Sequence, residues 1–271
     1  MKPAFEPEPF RPSRLWLNPH VQTILANSLR STDGVAYRRV RLDTPDGDFL
    51  DLDFAAVPGF ELPPDEPLVL LLHGLEGNAR RSYASETYKQ LARRGLRAVG
   101  MNFRSCSGEL NSTSPLYHAG KTDDVAFVVH WLDQLFPAVA KGIVGFSLGA
   151  NMLLKYLGEQ GDKTSIRAAA AVSPPFDLGR IARTFHLGSG RPYAARFMKS
   201  LRYKALRHAN HNGSAIDVDR LLKAKTMADF DDAVTAPLHG FRDADDYYAR
   251  NSSGQFLPGI HVPTLVMRAL D

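Results

Sequence analysis

From residue 35 onward, strand-like and helix-like segments alternate along the chain, and this alternation restricts the fold more than any other feature. Residues 67–72 (PLVLLL) are apolar throughout, which is typical of a strand buried on both faces of a parallel sheet. A helix at about 82–94 and a strand at 97–103 come next. Because parallel strands need long and usually helical connections, the pattern predicts an α/β fold with a mostly parallel sheet and flanking helices.

Two segments before residue 67 predict an antiparallel hairpin. They are residues 35–42 (VAYRRVRL) and residues 48–57 (DFLDLDFAAV). In the second segment, apolar side chains alternate with Asp51 and Asp53, so we expect one face of this strand to contact water. The remaining predicted elements are helices at 122–136 and 148–160 and strands at 141–146, 166–173 and 262–270.

The alternation breaks at residues 176–258, which contain helical segments and no convincing strand. We interpret this stretch as a helical cap inserted over the edge of the sheet. It separates a core at 35–175 from a return to the core sheet at 259–271.

Residues 1–34 are predicted to form an N-terminal extension that packs on the core. Four apolar residues of its segment 11–30 fall on one helical face: Val21, Ile24, Leu25 and Leu29. A helix with one apolar face commonly buries that face on its own protein, and contact with a membrane is the alternative interpretation.

The composition excludes several classes of function. The chain has 271 residues and a formal net charge of +4, and its apolar runs are far shorter than the roughly 18 residues that span a membrane. Its proline-rich, charged start is unlike a signal peptide, and its single cysteine, Cys106, cannot form an internal disulfide, so we expect a cytoplasmic protein. The chain carries no nucleic-acid motif, phosphate loop or metal-ligand spacing, so we expect no nucleic-acid partner, cofactor or metal.

A serine lies between two glycines where a predicted strand meets a predicted helix. In the sequence GFSLG, Ser147 is flanked by Gly145 and Gly149. A serine attacks well only when it is exposed, and a sharp strand-to-helix turn exposes it while leaving room only for small neighbours. The start of the helix also favours a developing negative charge beside the serine. We therefore expect Ser147 to be a nucleophile.

A second turn follows the buried strand at 67–72, with the sequence HGLEGN. In folds that carry a nucleophile elbow, this turn supplies one backbone N–H of the oxyanion hole and the residue after the nucleophile supplies the other. These donors are Leu75 and Leu148. His73 begins the turn, and we expect it to shape the loop; a role as catalytic base is the alternative.

Seven motifs are distributed along the chain. They are NPHVQT (18–23), HGLEGN (73–78), NFRSCSGELN (102–111), YHAGKTDD (117–124), GFSLGAN (145–151), FDDAVTAPLHGFRDADDYY (230–248) and VPTLVMRALD (262–271). In these motifs the chain resembles the YheT-like branch of the alpha/beta hydrolases, which are esterases related to the eukaryotic ABHD lipid hydrolases. The resemblance extends from residue 11 to residue 271. Ser105 and Ala150 stand where the family commonly has glycine.

This resemblance implies the alpha/beta-hydrolase fold and hydrolysis of carboxylic esters without a cofactor. The implied substrates carry short or medium acyl chains or are lipid-like. In the implied reaction Ser147 forms an acyl-enzyme, the Leu75 and Leu148 amides bind the oxyanion, and a histidine transfers protons.

The triad of this fold runs in the order serine, acid, histidine along the chain. The acid is expected just after the strand that follows the cap, where the sequence has Asp271; the residue that would come next is an equal candidate. A rival acid is Asp177, which follows the preceding strand, although we expect it to be a turn or helix-capping residue.

None of the nine histidines follows Asp271, so the sequence offers no good base. His118 lies in a family motif, and we expect it to line the site. The template places the base after one more strand, beyond residue 271, so we expect the C-terminal strand and helix of the fold to be missing. We therefore expect either a truncated hydrolase or a hydrolase-fold protein that has lost catalysis and acts in binding or regulation.

The predicted cap contains a basic segment, residues 180–207, with eight lysines and arginines and no acidic residue. Five of its residues form one apolar helical face: Ala194, Phe197, Met198, Leu201 and Ala205. We expect this face to pack on the domain and the arginines to be solvated. The alternative is that the basic side attracts anionic lipid while the apolar side lines an acyl site, which would give a peripheral membrane contact.

Overall fold

A computed structural model describes residues 31–111, 116–209 and 216–269, apart from the side chain at position 189. Seven strands in these ranges form one sheet. They are β1 (Ala36–Asp43), β2 (Phe49–Ala56), β3 (Leu68–Leu72), β4 (Arg97–Asn102), β5 (Lys141–Phe146), β6 (Ile166–Val172) and β7 (Thr264–Met267).

Nine α-helices accompany the sheet in the described ranges. They are α1 (Ser82–Ala92), α2 (Thr122–Leu135), α3 (Leu148–Gln160), α4 (Leu178–Thr184), α5 (Arg191–Ala209), α6 (Val218–Lys223), α7 (Met227–Phe230), α8 (Ala236–His239) and α9 (Ala244–Asn251). A π-helical turn at Asp231–Thr235 joins α7 to α8, and 3₁₀ turns occur at Gly161–Lys163, Gly188–Gly190 and Ser253–Gly259. None of the helices within these ranges is long and apolar enough to cross a membrane.

The strand order is β1-β2-β4-β3-β5-β6-β7. β1 pairs with β2 and β2 with β4 in antiparallel fashion, and every other neighbouring pair is parallel. The predicted α/β fold, with its opening hairpin and mostly parallel sheet, is therefore confirmed.

Both faces of the sheet are covered, which explains why β3 is apolar throughout. Leu70 and Leu72 of β3 pack into the core that α2 and α3 cover, with Val128 and Leu153 among its members. On the other face, Leu71 packs with Ala84 and Tyr88 of α1. A strand covered on both sides gains from apolar residues at every position.

The expectation that one face of β2 contacts water is wrong. Asp51 and Asp53 are almost fully buried, at 1% and 0% exposure. Each accepts two hydrogen bonds from the arginine opposite it on β1, Arg41 at 2.8 and 2.9 Å and Arg39 at 3.0 and 2.8 Å. Burial is the largest single cause and would raise the pKa of both carboxyls, but the hydrogen bonds and the arginine charges together hold each pKa below its ordinary value. Alternation in the sequence shows which side chains are polar, but it does not show whether they contact water. Charged side chains can also be buried when each is paired with an opposite charge.

Helical segments fill the chain between β6 and β7, and α5 is the longest of them in the described ranges. Four of the five residues of its predicted apolar face are buried: Ala194, Met198, Leu201 and Ala205. Phe197 is half-buried. The predicted helix within 11–30 lies outside the described residues.

Candidate active site

The carboxyl ends of β3 and β5 are neighbours at the point where the strand order of the sheet reverses. After β3 the chain crosses to β4 on one side of it and then returns to β5 on the other side. In the parallel register Leu72 of β3 lies beside Gly145 of β5, so the turns that follow these residues are neighbours. Ligands of open α/β sheets bind beyond the carboxyl ends of strands at such a switch point.

The turn between β5 and α3 has the geometry of a nucleophile elbow. Ser147 has φ 52° and ψ −115°, a conformation that few residues other than glycine adopt, and its amide donates to the Val172 carbonyl at 2.8 Å. A Cβ atom on Gly149 would lie 2.5 Å from the carbonyl oxygens of Leu72 and His73. This close packing presses α3 against the end of β3 and leaves Ser147 exposed.

The turn after β3 leaves the Leu75 amide without an acceptor among the described residues. The Gly74 amide donates to the Tyr83 hydroxyl at 3.0 Å, the Glu76 amide to the Tyr117 hydroxyl at 2.9 Å, and the Gly77 amide to the Gly74 carbonyl at 3.0 Å. The Leu75 amide, between them, donates to no described residue. Amides left unpaired beside a ligand cavity are the groups that bind anionic oxygens.

Leu148 is the first residue of α3, and its amide also donates to no described residue. The first amides of any helix lack intrahelical acceptors and carry a partial positive charge. A Cβ atom on Gly74 would lie 3.4 Å from the Cβ atom of Ser147, so the two turns are in direct contact. The structure thus brings Leu75, Ser147 and Leu148 together.

His73 is held as a structural residue. Its Nε2 accepts a hydrogen bond from the Phe103 amide at 3.1 Å, and its Nδ1 lies 2.8 Å from the Gly74 carbonyl. The side chain is fully buried, and this burial lowers its pKa to about 3. With both ring nitrogens engaged by backbone groups, His73 cannot take a proton from Ser147.

His118 lines the same cavity as Ser147 but is also kept neutral. Its Nδ1 accepts a hydrogen bond from the Gly120 amide at 3.1 Å, and its ring packs edge-on against His239, with centroids 4.2 Å apart. Burial and then the neighbouring His239 lower the pKa of His118 well below its ordinary value. Among the described residues, Ser147 makes no side-chain hydrogen bond to a histidine.

The candidate acids are Asp177 and Asp271, and only Asp177 lies among the described residues. Asp177 is the N-cap of α4, where its carboxylate accepts from the Arg180 amide at 2.8 Å. A capping carboxylate is already engaged by its own helix. Asp271 lies outside the described residues.

A cavity of about 760 Å³ opens beside Ser147. Its walls are mainly apolar, and several of the apolar residues come from the segment between β6 and β7: Leu178, Phe185, Phe197, Leu201 and Phe230. Polar groups on the wall include Glu76, Arg81 and Asp231. Over the described parts of the chain, no group of three or more histidine, cysteine or acidic side chains is arranged to hold a metal ion.

A buried ion pair links the turn after β3 to helix α5, and the sequence did not indicate it. The Glu76 carboxylate accepts from Lys204 Nζ at 3.0 Å, from the Tyr117 hydroxyl at 2.8 Å and from the Ser200 hydroxyl. Lys204 also lies 3.3 Å from the Cys106 sulfur. Burial, as the largest cause, raises the pKa of the Cys106 thiol to about 11, so it stays protonated. Glu76 and Lys204 are 128 residues apart in the sequence, so no motif or periodicity of neighbouring residues predicts their contact.

Comparison with known proteins gives the family. The sequence profile of the alpha/beta hydrolase fold matches residues 67–269. A protein of Escherichia coli K12 named "Putative esterase YheT" is 35% identical over 97% of this chain and 77% of its own length. The monoacylglycerol lipase of Saccharomyces cerevisiae is 31% identical over 88% of this chain, and the mouse phospholipase ABHD3 is 31% identical over 92%. The chain spans only 53% and 62% of those two relatives. It belongs to the alpha/beta hydrolase fold family, and its relatives include the YheT-like esterases.

Proposed function

We propose that this protein is a serine hydrolase that cleaves carboxylic esters through an acyl-enzyme on Ser147. The observation that carries the proposal is an exposed Ser147 on a strained elbow beside the Leu75 and Leu148 amides, which donate to no described residue. This combination is the arrangement that acyl transfer needs, because charge develops on the carbonyl oxygen when the serine attacks.

In the proposed reaction, the Ser147 hydroxyl oxygen attacks the ester carbonyl and loses its proton to a base. The carbonyl oxygen becomes an oxyanion and accepts hydrogen bonds from the Leu75 and Leu148 amides. The carbonyl then re-forms, the alcohol leaves with a proton, and water releases the acid from Ser147 in a second cycle.

The base of this proposal is neither His73 nor His118. His73 and His118 are buried, neutral and bonded to backbone amides, so neither supports the role. For the acid we retain Asp271, by its position after β7.

The substrates proposed are esters with short or medium acyl chains or lipid-like esters. The apolar wall formed by Phe185, Phe197 and Phe230 suits an acyl chain, since burying methylene groups there is favourable by about 0.8 kcal/mol each. The names of the lipid-hydrolysing relatives support the same class.

Ser147→Ala tests the proposal on the full-length protein, with hydrolysis of p-nitrophenyl esters of graded length as the assay. Removing the nucleophile should lower turnover by several orders of magnitude. Ser173→Ala is the matched control: Ser173 also has a positive φ of 52° and lies on the same cavity wall, and this variant should keep most of its turnover.

Labelling with a fluorophosphonate separates an enzyme from the alternative, a binding protein with a hydrolase fold. Wild-type protein should become labelled at Ser147, because a nucleophile held beside oxyanion donors reacts with such probes. An unlabelled wild-type protein that still binds fatty esters would favour the binding protein.

A further inference from the structure

Two tyrosine hydroxyls hold the turn that carries Leu75. Tyr83 accepts the Gly74 amide at 3.0 Å, and Tyr117 accepts the Glu76 amide at 2.9 Å. The two bonds flank Leu75, whose own amide donates to no described residue.

The two hydroxyls differ in whether they also donate a hydrogen bond. A tyrosine hydroxyl both accepts and donates. Tyr117 donates to the Glu76 carboxylate at 2.8 Å, whereas Tyr83 donates to no described residue. Burial raises the pKa of Tyr83, so its hydroxyl keeps its proton at neutral pH. Tyr83 therefore has an unused donor.

This unused donor lies beside the nucleophile. Tyr83 and Ser147 line the same cavity. A Cβ atom placed on Gly74 would be 3.4 Å from the Ser147 Cβ and 4.0 Å from the Tyr83 hydroxyl, so both groups adjoin the same point. The Tyr83 ring packs on Phe146, the residue before Ser147, with centroids 4.8 Å apart, and this contact fixes the ring relative to the elbow.

We propose that the Tyr83 hydroxyl is a third donor to the oxyanion, in addition to the Leu75 and Leu148 amides. This inference depends on the proposed function. When the Ser147 oxygen bonds to the carbonyl carbon, the carbonyl π electrons move to oxygen, and the Tyr83 O–H donates a hydrogen bond to that charge without losing its proton. When the carbonyl re-forms and the alcohol leaves, the bond weakens again.

Tyr83→Phe on the full chain tests the inference, because it keeps the ring on Phe146 and removes only the hydroxyl. Loss of one oxyanion donor lowers kcat by about 10²–10³ in a serine protease, so we expect a fall of about 100-fold with KM little changed. The affinity for a trifluoromethyl ketone, whose adduct with Ser147 carries an oxyanion, should fall by a similar factor.

Tyr117→Phe is the matched control. It removes the acceptor of an amide in the same turn and also a bond to Glu76, but no unused donor. We expect a loss of kcat at least tenfold smaller than in Tyr83→Phe, with thermal unfolding showing that both variants fold. Equal losses of kcat in the two variants would mean that Tyr83 only holds the turn. That result would overturn this inference but not the proposed function. Turnover in Ser147→Ala equal to that of the wild type would instead overturn the proposed function and this inference with it.

Discussion

At the scale of single residues, Gly145 shows how little room the elbow leaves. A Cβ atom there would lie 2.5 Å from the Gly149 carbonyl oxygen and 2.8 Å from the Ala150 Cα. Gly145→Ala should therefore lower the free energy of unfolding by about 3 kcal/mol or more, because backbone must move to admit the methyl group. Urea unfolding measures this change.

Gly142 in the same strand is the control for Gly145. A Cβ atom there would meet only ordinary contacts, the nearest at 3.4 Å. Gly142→Ala should change the free energy of unfolding by less than about 1 kcal/mol. A similar loss in both variants would show that any side chain on this strand is harmful and that the elbow is not special.

Asp231 gives the protein a pH-dependent stability. Its carboxyl is buried in the π-helical turn and accepts from the Thr235 and Tyr248 hydroxyls, each at 2.6 Å. Burial raises its pKa from 3.8 to about 6, and the hydroxyl hydrogen bonds only partly oppose this. Because the folded-state pKa is the higher one, the stability from this group is full below about pH 4 and is lost as the pH rises through about 6.

Asp231→Asn should remove that dependence, since an amide stays neutral at every pH. The difference between 3.8 and about 6 corresponds to about 3 kcal/mol. Relative to the wild type, the variant should gain about 2 kcal/mol in free energy of unfolding between about pH 4.5 and pH 7.5. Asp219→Asn, at an exposed position, is the control for the change in net charge. An equal gain in both variants would assign the effect to net charge.

At the scale of elements, the Glu76–Lys204 pair fastens α5 to the turn after β3. The Glu76 and Lys204 side chains are only 5% and 16% exposed. Lys204→Met would keep the aliphatic stem and leave the Glu76 carboxylate buried without its cation. We expect the free energy of unfolding in urea to fall by about 3 kcal/mol.

Two further variants decide whether the ion pair is the cause. Lys199→Met, at an exposed position of the same helix, should change stability by less than about 0.5 kcal/mol. Adding Glu76→Gln to Lys204→Met should recover part of the loss, because no charge then remains unpaired. Strictly additive losses would argue against coupling between Glu76 and Lys204.

At the scale of the whole molecule, the helices over the cavity present a basic surface. Six of the eight basic residues predicted in 180–207 are exposed: Arg180, Arg183, Arg191, Arg196, Lys199 and Arg207. The residues of the predicted apolar face of α5 are buried or, as with Phe197, line the cavity, although Tyr203 on another side of the helix is exposed. Because the predicted apolar face is covered, we expect attraction to a membrane through this surface to be mainly electrostatic. Such attraction is screened within about 10 Å at 0.1 M salt.

We therefore expect binding to anionic vesicles to weaken steeply with added salt, while hydrolysis of a small neutral ester barely changes. Co-sedimentation with vesicles measures the first and the p-nitrophenyl ester assay the second. Lys199→Glu should weaken vesicle binding more than Arg93→Glu, which makes the same charge change at the exposed end of α1. Equal effects of the two variants, or binding that resists salt, would leave the basic helices as solvated surface.

Much of the fold and part of the candidate site could be predicted from the sequence because they depend on near neighbours. The apolar run of β3, the glycines around Ser147 and the helix that follows each act within a few residues, and the alternation of strands and helices indicates a mostly parallel sheet. Leu75 and Leu148 were predicted in the same way, as positions within two short motifs.

Tertiary structure alone decided which polar groups are paired. The burial of Asp51 and Asp53 depends on arginines of a neighbouring strand, and the Glu76–Lys204 pair joins residues 128 positions apart. The difference between Tyr83 and Tyr117 depends on which acceptor each hydroxyl meets after folding. Periodicity in the sequence indicates which face of a helix or strand a side chain lies on. A hydrogen bond, by contrast, requires a partner within about 3 Å. Where that partner belongs to a distant segment, it is in place only after the two segments have packed together.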